Sequence, residues 1–288
     1  MSSPEEYNAR SMEKFGWDRE CLDLPPEATM ADVTQAAIEF QKEHGLDPDG
    51  LVGPMTWRRI QASNELRLHE KYPDAKGFVL VGGKPIPVDF PAKMCSPSSA
   101  YSLIGLGGHS TRSPDKQPTQ VVWHWDVAVS AASCHRILKR RKLSTHGAID
   151  NDGTFIQFLD FALHVGWHAG TRLVNKRSIG IDLSNAVYTK FNLYYKRGWG
   201  PRPVIKATVH GREHTLLGYY DAQLRTAGRV AALINDLFDI PLVSPDTTTI
   251  IEDPEDYAGH IAHYHITKRK WDVAGFPFKD VLEGKYNE

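Results

Sequence analysis

The sequence predicts an α/β domain built on a mixed sheet flanked by helices, preceded by a small all-α N-terminal domain. Three observations carry that expectation. From residue 119 onward, apolar runs of strand length alternate with amphipathic stretches of helical length. Residues 33–62 hold two short helical patterns on either side of a turn. Between these regions, residues 65–118 are rich in turn formers. The boundaries read as 1–64 for the helical domain, 65–118 for a connector with a short hairpin, and 119–288 for the larger domain. A chain of 288 residues is long enough to bury a real core in one large and one small domain.

In the first region, Val33, Ala36, Ala37, Phe40 and Gln41 fall at helical spacing, and Gly45 stands where a C-terminal glycine ends a helix. Asp47-Pro48-Asp49-Gly50 is turn chemistry. Gly53-Pro54 then opens a second short helix that carries Trp57 and Ile60 inward. In the connector, "FVLVGGKPIPVDF" reads as a hairpin around Gly82-Gly83, and "SPSSAYSLIGLGGHSTRSPDKQP" as a mobile loop with His109 solvated. Beyond it, "TQVVWHWDVA" is a buried strand and "SAASCHRILKRRK" an amphipathic helix. "STHGAIDNDGTFIQFLD" is a hairpin turning at Asn151-Asp152-Gly153, and "SIGIDLSN" is another strand. "YDAQLRTAGRVAALINDLFDI" is a long helix capped by Asp221, with its apolar residues in one stripe.

Charge announces no partner. Lys and Arg total 34 against 35 Asp and Glu, so the net charge of -1 supplies no global field for nucleic acid or an acidic membrane. Cys21, Cys95 and Cys134 are odd in number, widely spaced and lack C-x-x-C pairing, which argues against a disulfide framework or an all-cysteine zinc site. The opening "MSSPEEYNARSMEKFGWDRE" has no apolar h-region, so synthesis in the cytoplasm without a signal peptide is expected, with any later export left to another agent. No run of about 18 apolar residues offers a membrane span. Nothing demands oligomerisation, and a monomer is expected.

The chemistry concentrates at two places. His124 lies at the end of the strand "VVWHWD", where a histidine at a sheet edge can present a nitrogen to a cleft; taken alone, such a residue is more often a satisfied core or rim histidine. The stretch "HYHITKRKWD", residues 263–272, adds His263 or His265 and Asp272. Together these make a two-histidine, one-carboxylate set, which suits a catalytic Zn2+ with one position left open for water. Lys270 lies two residues before Asp272; as a lysine it would ordinarily be a solvated surface residue. Asp182, flanked by Ile181 and Leu183, alternates onto the opposite face of its strand from both, as a cleft carboxylate would.

Two resemblances sharpen this reading. "FQKEHGLDPDGLVGPMTWRRI" resembles the repeat of the peptidoglycan-binding family of small three-helix domains, with Asp49, Gly50, Gly53, Pro54, Thr56 and Trp57 in register over about residues 12–64. That resemblance implies a cell-wall-binding module contacting its ligand through Asp49 and Trp57, although the upstream Asp-Gly turn of such families is barely echoed here. From about 119 to 279, "VVWHWD", "STHGAIDNDGTFIQF", "VGWHAG", "NKRSIGIDLSN", "YYDAQ" and "KWDVAGFPF" occur in the order found in the zinc-dependent N-acetylmuramoyl-L-alanine amidases, which share a fold with T7-type lysozymes and peptidoglycan recognition proteins.

The second resemblance implies His124 as first zinc ligand, Asp272 as last, and between them His263, nine residues before Asp272; His265 and His260 match that spacing less well. It implies Lys270 as the cation supporting the oxyanion, and Trp167, His168 and His146 on the substrate side, His168 as a donor to substrate or to the site around it. It also implies Asp182 as general base where one branch of the family has glutamate, a methylene longer. Thr145 replaces the aromatic that the family carries before His146. The implied activity is a peptidoglycan hydrolase that cleaves the amide between N-acetylmuramic acid and L-alanine, in a phage endolysin or a secreted antibacterial effector. A non-catalytic recognition protein of the same fold, marked by loss of a metal ligand, is the alternative. A zinc amidase of soluble muropeptides is another, against which the attached module favours the polymer.

Overall fold

Three helices, α1 (Pro4–Phe15), α2 (Met30–Glu43) and α3 (Pro54–Lys71), make up most of the first of two units in the computed structural model, which describes residues 3–15, 17–95 and 100–286. The units comprise Met1–Ala75 and Lys76–Glu288. Helix α2 starts at a capping box, in which the Thr29 hydroxyl accepts from the Asp32 N–H and the Asp32 carboxylate accepts from the Thr29 N–H. It buries Val33, Ala37 and Gln41, one position per turn. Gly45, at φ +66°, and the bond from Leu46 N–H to the Gln41 carbonyl close its end. Pro54 occupies the first turn of α3, which runs on to Lys71 rather than stopping as a short helix, because no glycine or proline interrupts residues 55–71.

Gln41 is buried in this unit, and its side-chain nitrogen donates to the Asp49 carboxylate and the Thr56 hydroxyl. The same Asp49 oxygen accepts from the Leu51 N–H. Trp57 is only 4% exposed and packs with Trp17, Val33, Val52 and Ile60. The two side chains expected to face a ligand therefore spend their contacts on the turn and on the core of the module.

The larger unit begins with β1 (Gly77–Val81), β2 (Lys84–Val88), β3 (Ala92–Lys93) and β4 (His109–Thr111). It continues through β5 (Gln120–Trp125), α4 (Ala131–Arg141), β6 (Gly147–Ile149), β7 (Phe155–Gln157), β8 (His164–Gly166) and α5 (Arg172–Arg177). It is completed by β9 (Ser178–Leu183), α6 (Asn192–Tyr195), β10 (Val204–Val209), β11 (Arg212–Leu217), α7 (Asp221–Phe238), β12 (Gly259–Ala262) and α8 (Phe278–Leu282). Eight strands form one mixed sheet in the order β12-β5-β9-β6-β7-β3-β1-β2, with β12, β5, β9 and β6 mutually parallel.

The hairpin expected in the connector is an edge of that sheet. β1 and β2 turn at Gly82 and Gly83, whose φ of 61° and 78° only glycine adopts readily at two successive positions, and β3 joins them to β7. His109 is half-buried in β4 against β8 rather than solvated in a loop, its ring meeting that of His164. Residues 96–99 of the expected loop lie outside the described residues. Helix α7 begins one residue earlier in its cap than expected: Tyr220 is the N-cap, and Asp221 is the first helical residue.

Alternation along the central strands decides what lies on each face. Val121, Trp123 and Trp125 of β5 and Ile179, Ile181 and Leu183 of β9 pack in one cluster with Leu224, Ala227, Val230, Ala231 and Ile234 of α7. Val122 faces the other way and clusters with Val174 of α5, while Ala148 clusters with Ala131 and Cys134 of α4. By the same two-residue period, His124 and Asp182 belong to the face opposite α7.

Candidate active site

Parallel register brings three chemical groups abreast. His124 of β5 is directly opposite Asp182 of β9, and Ala262 of β12 is opposite Trp123, so His263 follows as the neighbour of His124 on the other side. Asp272 arrives from the loop after β12. Its carbonyl accepts from the Tyr264 N–H, and Trp271 beside it stacks on His214 with ring centroids 4.3 Å apart and meets Trp125 edge-on.

The donor atoms converge closely. His124 Nδ1 and His263 Nδ1 are 3.1 Å apart, His124 Nδ1 and Asp272 Oδ2 3.2 Å, and His263 Nδ1 and Asp272 Oδ2 3.0 Å. Among the described residues this is the set able to hold a metal ion, and all three members are buried. Burial pushes the His263 imidazole toward its neutral form. Burial also pushes the Asp272 carboxyl up, but the imidazoles of His263 and His124 outweigh it and hold the group well below the usual carboxylate range. Two lone pairs and a carboxylate aimed at one point repel unless a cation lies between them. Zinc, bonded to nitrogen at about 2.0–2.1 Å, sets tetrahedral ligand atoms about 3.3 Å apart, so the donor set fits that ion.

The other nitrogen of His124 is also engaged. Nε2 lies 2.9 Å from His168 Nδ1, His168 Nε2 lies 3.2 Å from Ser178 Oγ, and the Ser178 hydroxyl donates to the Val174 carbonyl at 2.7 Å. Because the serine proton is committed to Val174, Oγ accepts from His168 Nε2–H, and His168 Nδ1 accepts from His124 Nε2–H. That leaves the lone pair of His124 on Nδ1, facing the other two donors. Gly180 makes this arrangement possible, since a Cβ there would come within 2.7 Å of the His168 ring. Asn175 Oδ1 accepts from the N–H groups of His168 and Ala169 and anchors the turn.

Asp182 is buried beside His124, and its Oδ2 accepts from the Thr145 hydroxyl at 2.8 Å and from the Cys134 thiol at 3.6 Å. Burial raises its carboxyl above the ordinary value. His146, expected on the substrate side, is instead enclosed. Nδ1 accepts from the Gly180 N–H, Nε2–H donates to the His164 carbonyl, and burial pushes its pKa down to about 3. His265 is likewise spent on backbone, accepting from the Ala262 N–H and donating to the Thr247 carbonyl. His260 accepts the indole N–H of Trp123. Neither belongs to the group of donor atoms that converges with His124.

A cleft of about 820 Å³ opens at His263 and is lined by Trp167, His168 and Lys270. Trp167 is 44% exposed there, and the Lys270 charge is near enough to disfavour protonation of His263. Arg172, Lys176 and Arg269 also line the cleft, and Ser178 and Cys134 support its carboxylate and imidazoles. Sequence reasoning assigned none of these five to the site, and Cys134 was read there only as one of three widely spaced cysteines. Ser178 lies within the quoted "NKRSIGIDLSN", but its role depends on a ring that arrives from another loop.

A family model described as N-acetylmuramoyl-L-alanine amidase matches residues 114–275, more than half of the chain and all of the site residues just described. This chain belongs to the N-acetylmuramoyl-L-alanine amidase family. Among solved structures, a selenomethionine derivative of AmpD is 18% identical with a TM-score of 0.37, covering 61% of this amidase and 88% of that chain. The Ph2119 endolysin from Thermus scotoductus MAT2119 bacteriophage Ph2119 is 14% identical with a TM-score of 0.36, covering 62% of this amidase and 90% of that chain. No curated protein matches the amidase. No described helix is long and apolar enough to cross a membrane.

Proposed function

We propose that this amidase uses zinc held by His124, His263 and Asp272 to hydrolyse the amide between N-acetylmuramic acid and L-alanine in bacterial peptidoglycan. The observation that carries the reading is the convergence of three donor atoms within 3.0–3.2 Å of one another at the wall of an open cleft. When bound, zinc supplies Lewis acidity that brings the pKa of a water molecule toward neutrality and polarises an amide carbonyl.

The protein's own groups do the rest. Lys270, at the cleft wall, offers its ammonium to the oxyanion that develops as water adds to the carbonyl. Asp182 receives the proton of the attacking water and returns it to the leaving amine. Both of its hydrogen bonds go to Oδ2, which leaves Oδ1 for this exchange. Trp167 presents an indole face for the substrate, and His168 contributes mainly by orienting His124. A complete donor set favours hydrolysis over recognition without catalysis. The N-terminal unit would hold the amidase on insoluble wall and raise its effective concentration there, after release or export from the cell.

The test is mass analysis of digested sacculi. Free stem peptides with intact glycan strands are expected, with activity lost in chelator and restored by zinc. New reducing sugar ends, or undiminished activity in the metal-free protein, would overturn the reading.

A further inference from the structure

Between Asp182 and His210 the chain carries five cations and no carboxylate, in a protein whose net charge is -1. Within that segment, residues 188–199 leave β9 and form a surface unlike the rest. Leu193 is 68% exposed, Tyr194 63%, Tyr188 50% and Trp199 47%. Interspersed with them, Lys190, Lys196 and Arg197 are exposed and make no ion pair among the described residues.

The loop is held rigidly from beneath. Tyr195 is fully buried, and its hydroxyl accepts from the Ala186 N–H. Arg202 is sandwiched between Tyr195 and Tyr220, 4.6 and 4.3 Å from the ring centroids. Asn192 ties the segment to the chain that follows it, donating to the Arg202 carbonyl and accepting from the Arg202 N–H. On the outer side, Tyr188, Phe191 and Tyr194 form a continuous row with centroid separations of 6.4 and 6.0 Å. Lys190 lies over Phe191 at 5.2 Å. An apolar residue on a loose tip costs little to expose, but here four large apolar side chains are fixed facing water, which marks an interaction surface.

We propose that residues 188–199 form a second binding surface, by which this amidase seats itself on an anionic lipid bilayer. The composition selects that occupant. Tyrosine and tryptophan favour the headgroup region, Leu193 supplies an aliphatic group that enters the acyl boundary, and flanking Lys and Arg are drawn to anionic lipid. A glycan strand would call for carboxylates and amides to hydrogen-bond its hydroxyls, and residues 188–199 hold no carboxylate and one amide, Asn192, whose oxygen and nitrogen are both engaged by Arg202. The bilayer surface is a site distinct from the hydrolytic cleft, since none of these residues lines it.

The experiment is co-sedimentation of the full chain with vesicles of phosphatidylcholine alone or mixed with phosphatidylglycerol, at low and high salt. Binding is expected only with phosphatidylglycerol and should weaken as salt rises. Replacing Lys190, Lys196 and Arg197 together by Gln should lower the affinity by ~10-fold or more, as should replacing Leu193, Tyr194 and Trp199 by Ser. Both variants should still hydrolyse a soluble muropeptide at the parental rate, which shows that they fold. As a milder probe, brominated lipid should quench the tryptophan fluorescence of the parent but lose part of that effect in Trp199→Phe. Absence of vesicle binding by the parent, or equal binding by both triple variants, overturns the proposal. So does a dimer in sedimentation velocity that only the Leu193, Tyr194 and Trp199 variant abolishes without any lipid binding, and so does retention on purified glycan in place of vesicles.

Discussion

The imidazoles of His124 and His168 meet edge to face, with Nε2 and Nδ1 2.9 Å apart, and Ser178 closes the far side of His168 at 3.2 Å. The hydrogen bonds run in one direction from His124 to the Val174 carbonyl, so they hold the His124 ring in one tautomer. His168→Ala should weaken zinc affinity by about 10–100-fold, the scale of lost support behind a ligand, measured by competition with a chromogenic chelator. His168→Gln, whose amide can accept from His124 and donate to Ser178, should recover part of it. Unchanged affinity in both variants would restrict His168 to contact with the substrate.

His263 and His265 are two residues apart yet have different partners. His263→Ala should abolish zinc binding while the protein stays folded. His265→Ala should retain zinc and lower the melting temperature, because the buried Ala262 N–H loses its acceptor and the Thr247 carbonyl its donor. A cost of about 1–3 kcal/mol is expected for such unsatisfied groups. Metal analysis and thermal melts of the two variants separate the roles, and the opposite pattern would transfer the ligand to His265.

Asp182→Ala should leave zinc content intact and lower turnover by about 10²-fold or more, the usual scale for a proton-transfer group. Asp182→Glu should retain activity, reduced if the added methylene crowds the Thr145 and Cys134 contacts. Thr145→Val removes the 2.8 Å bond to Oδ2 and should lower turnover by less than the loss of the carboxylate itself. Near-normal turnover in Asp182→Ala, measured on a soluble muropeptide, would move the proton to another group.

Acid should destabilise the fold through histidines outside the His124, His263 and Asp272 set. Burial lowers the pKa of both His146 and His260 to about 3 from the ordinary 6.5, so in the folded protein both are neutral near pH 5. The unfolded chain takes up protons on both below about pH 6.5, while the native state does so only near pH 3. Stability is therefore full above pH 6.5 and falls progressively from there toward pH 3, by on the order of a few kcal/mol for each residue. Urea unfolding at intervals between pH 7.5 and 4 would measure the slope. A flat profile across that window would mean that these rings are protonated in the native state.

Much of this molecule was legible in one dimension because the relevant information is periodic or local. The apolar alternation in "VVWHWD" and "SIGIDLSN" names two central strands and places His124 and Asp182 on the face opposite Trp123 and Ile181, a consequence of strand geometry alone. The stop at Gly45, the turn at Gly82-Gly83 and the hairpin at Asn151-Asp152-Gly153 follow from φ preferences and turn chemistry. His124 and Asp272 could be proposed together with His263 or His265 because two histidines and a carboxylate make a recognisable donor set, and the family resemblance singled out His263.

What local pattern could not decide is which partner each polar side chain would find. His146 follows a strand-adjacent motif, but it is the packing of β9 beside β6 that puts the Gly180 N–H against its ring. Trp57 and Asp49 lie in a stretch that resembles a binding-domain motif, yet the core of the helical unit and the buried Gln41 claim them. His263 and His265 are separated by a single 3₁₀ turn that points one at Asp272 and the other at Thr247. The strand positions of His124 and Asp182 were set by a two-residue repeat in the sequence itself. The hydrogen bonds of His168, His146 and His265 were decided only by tertiary structure, because their partners lie on segments brought close by sheet register and loop closure.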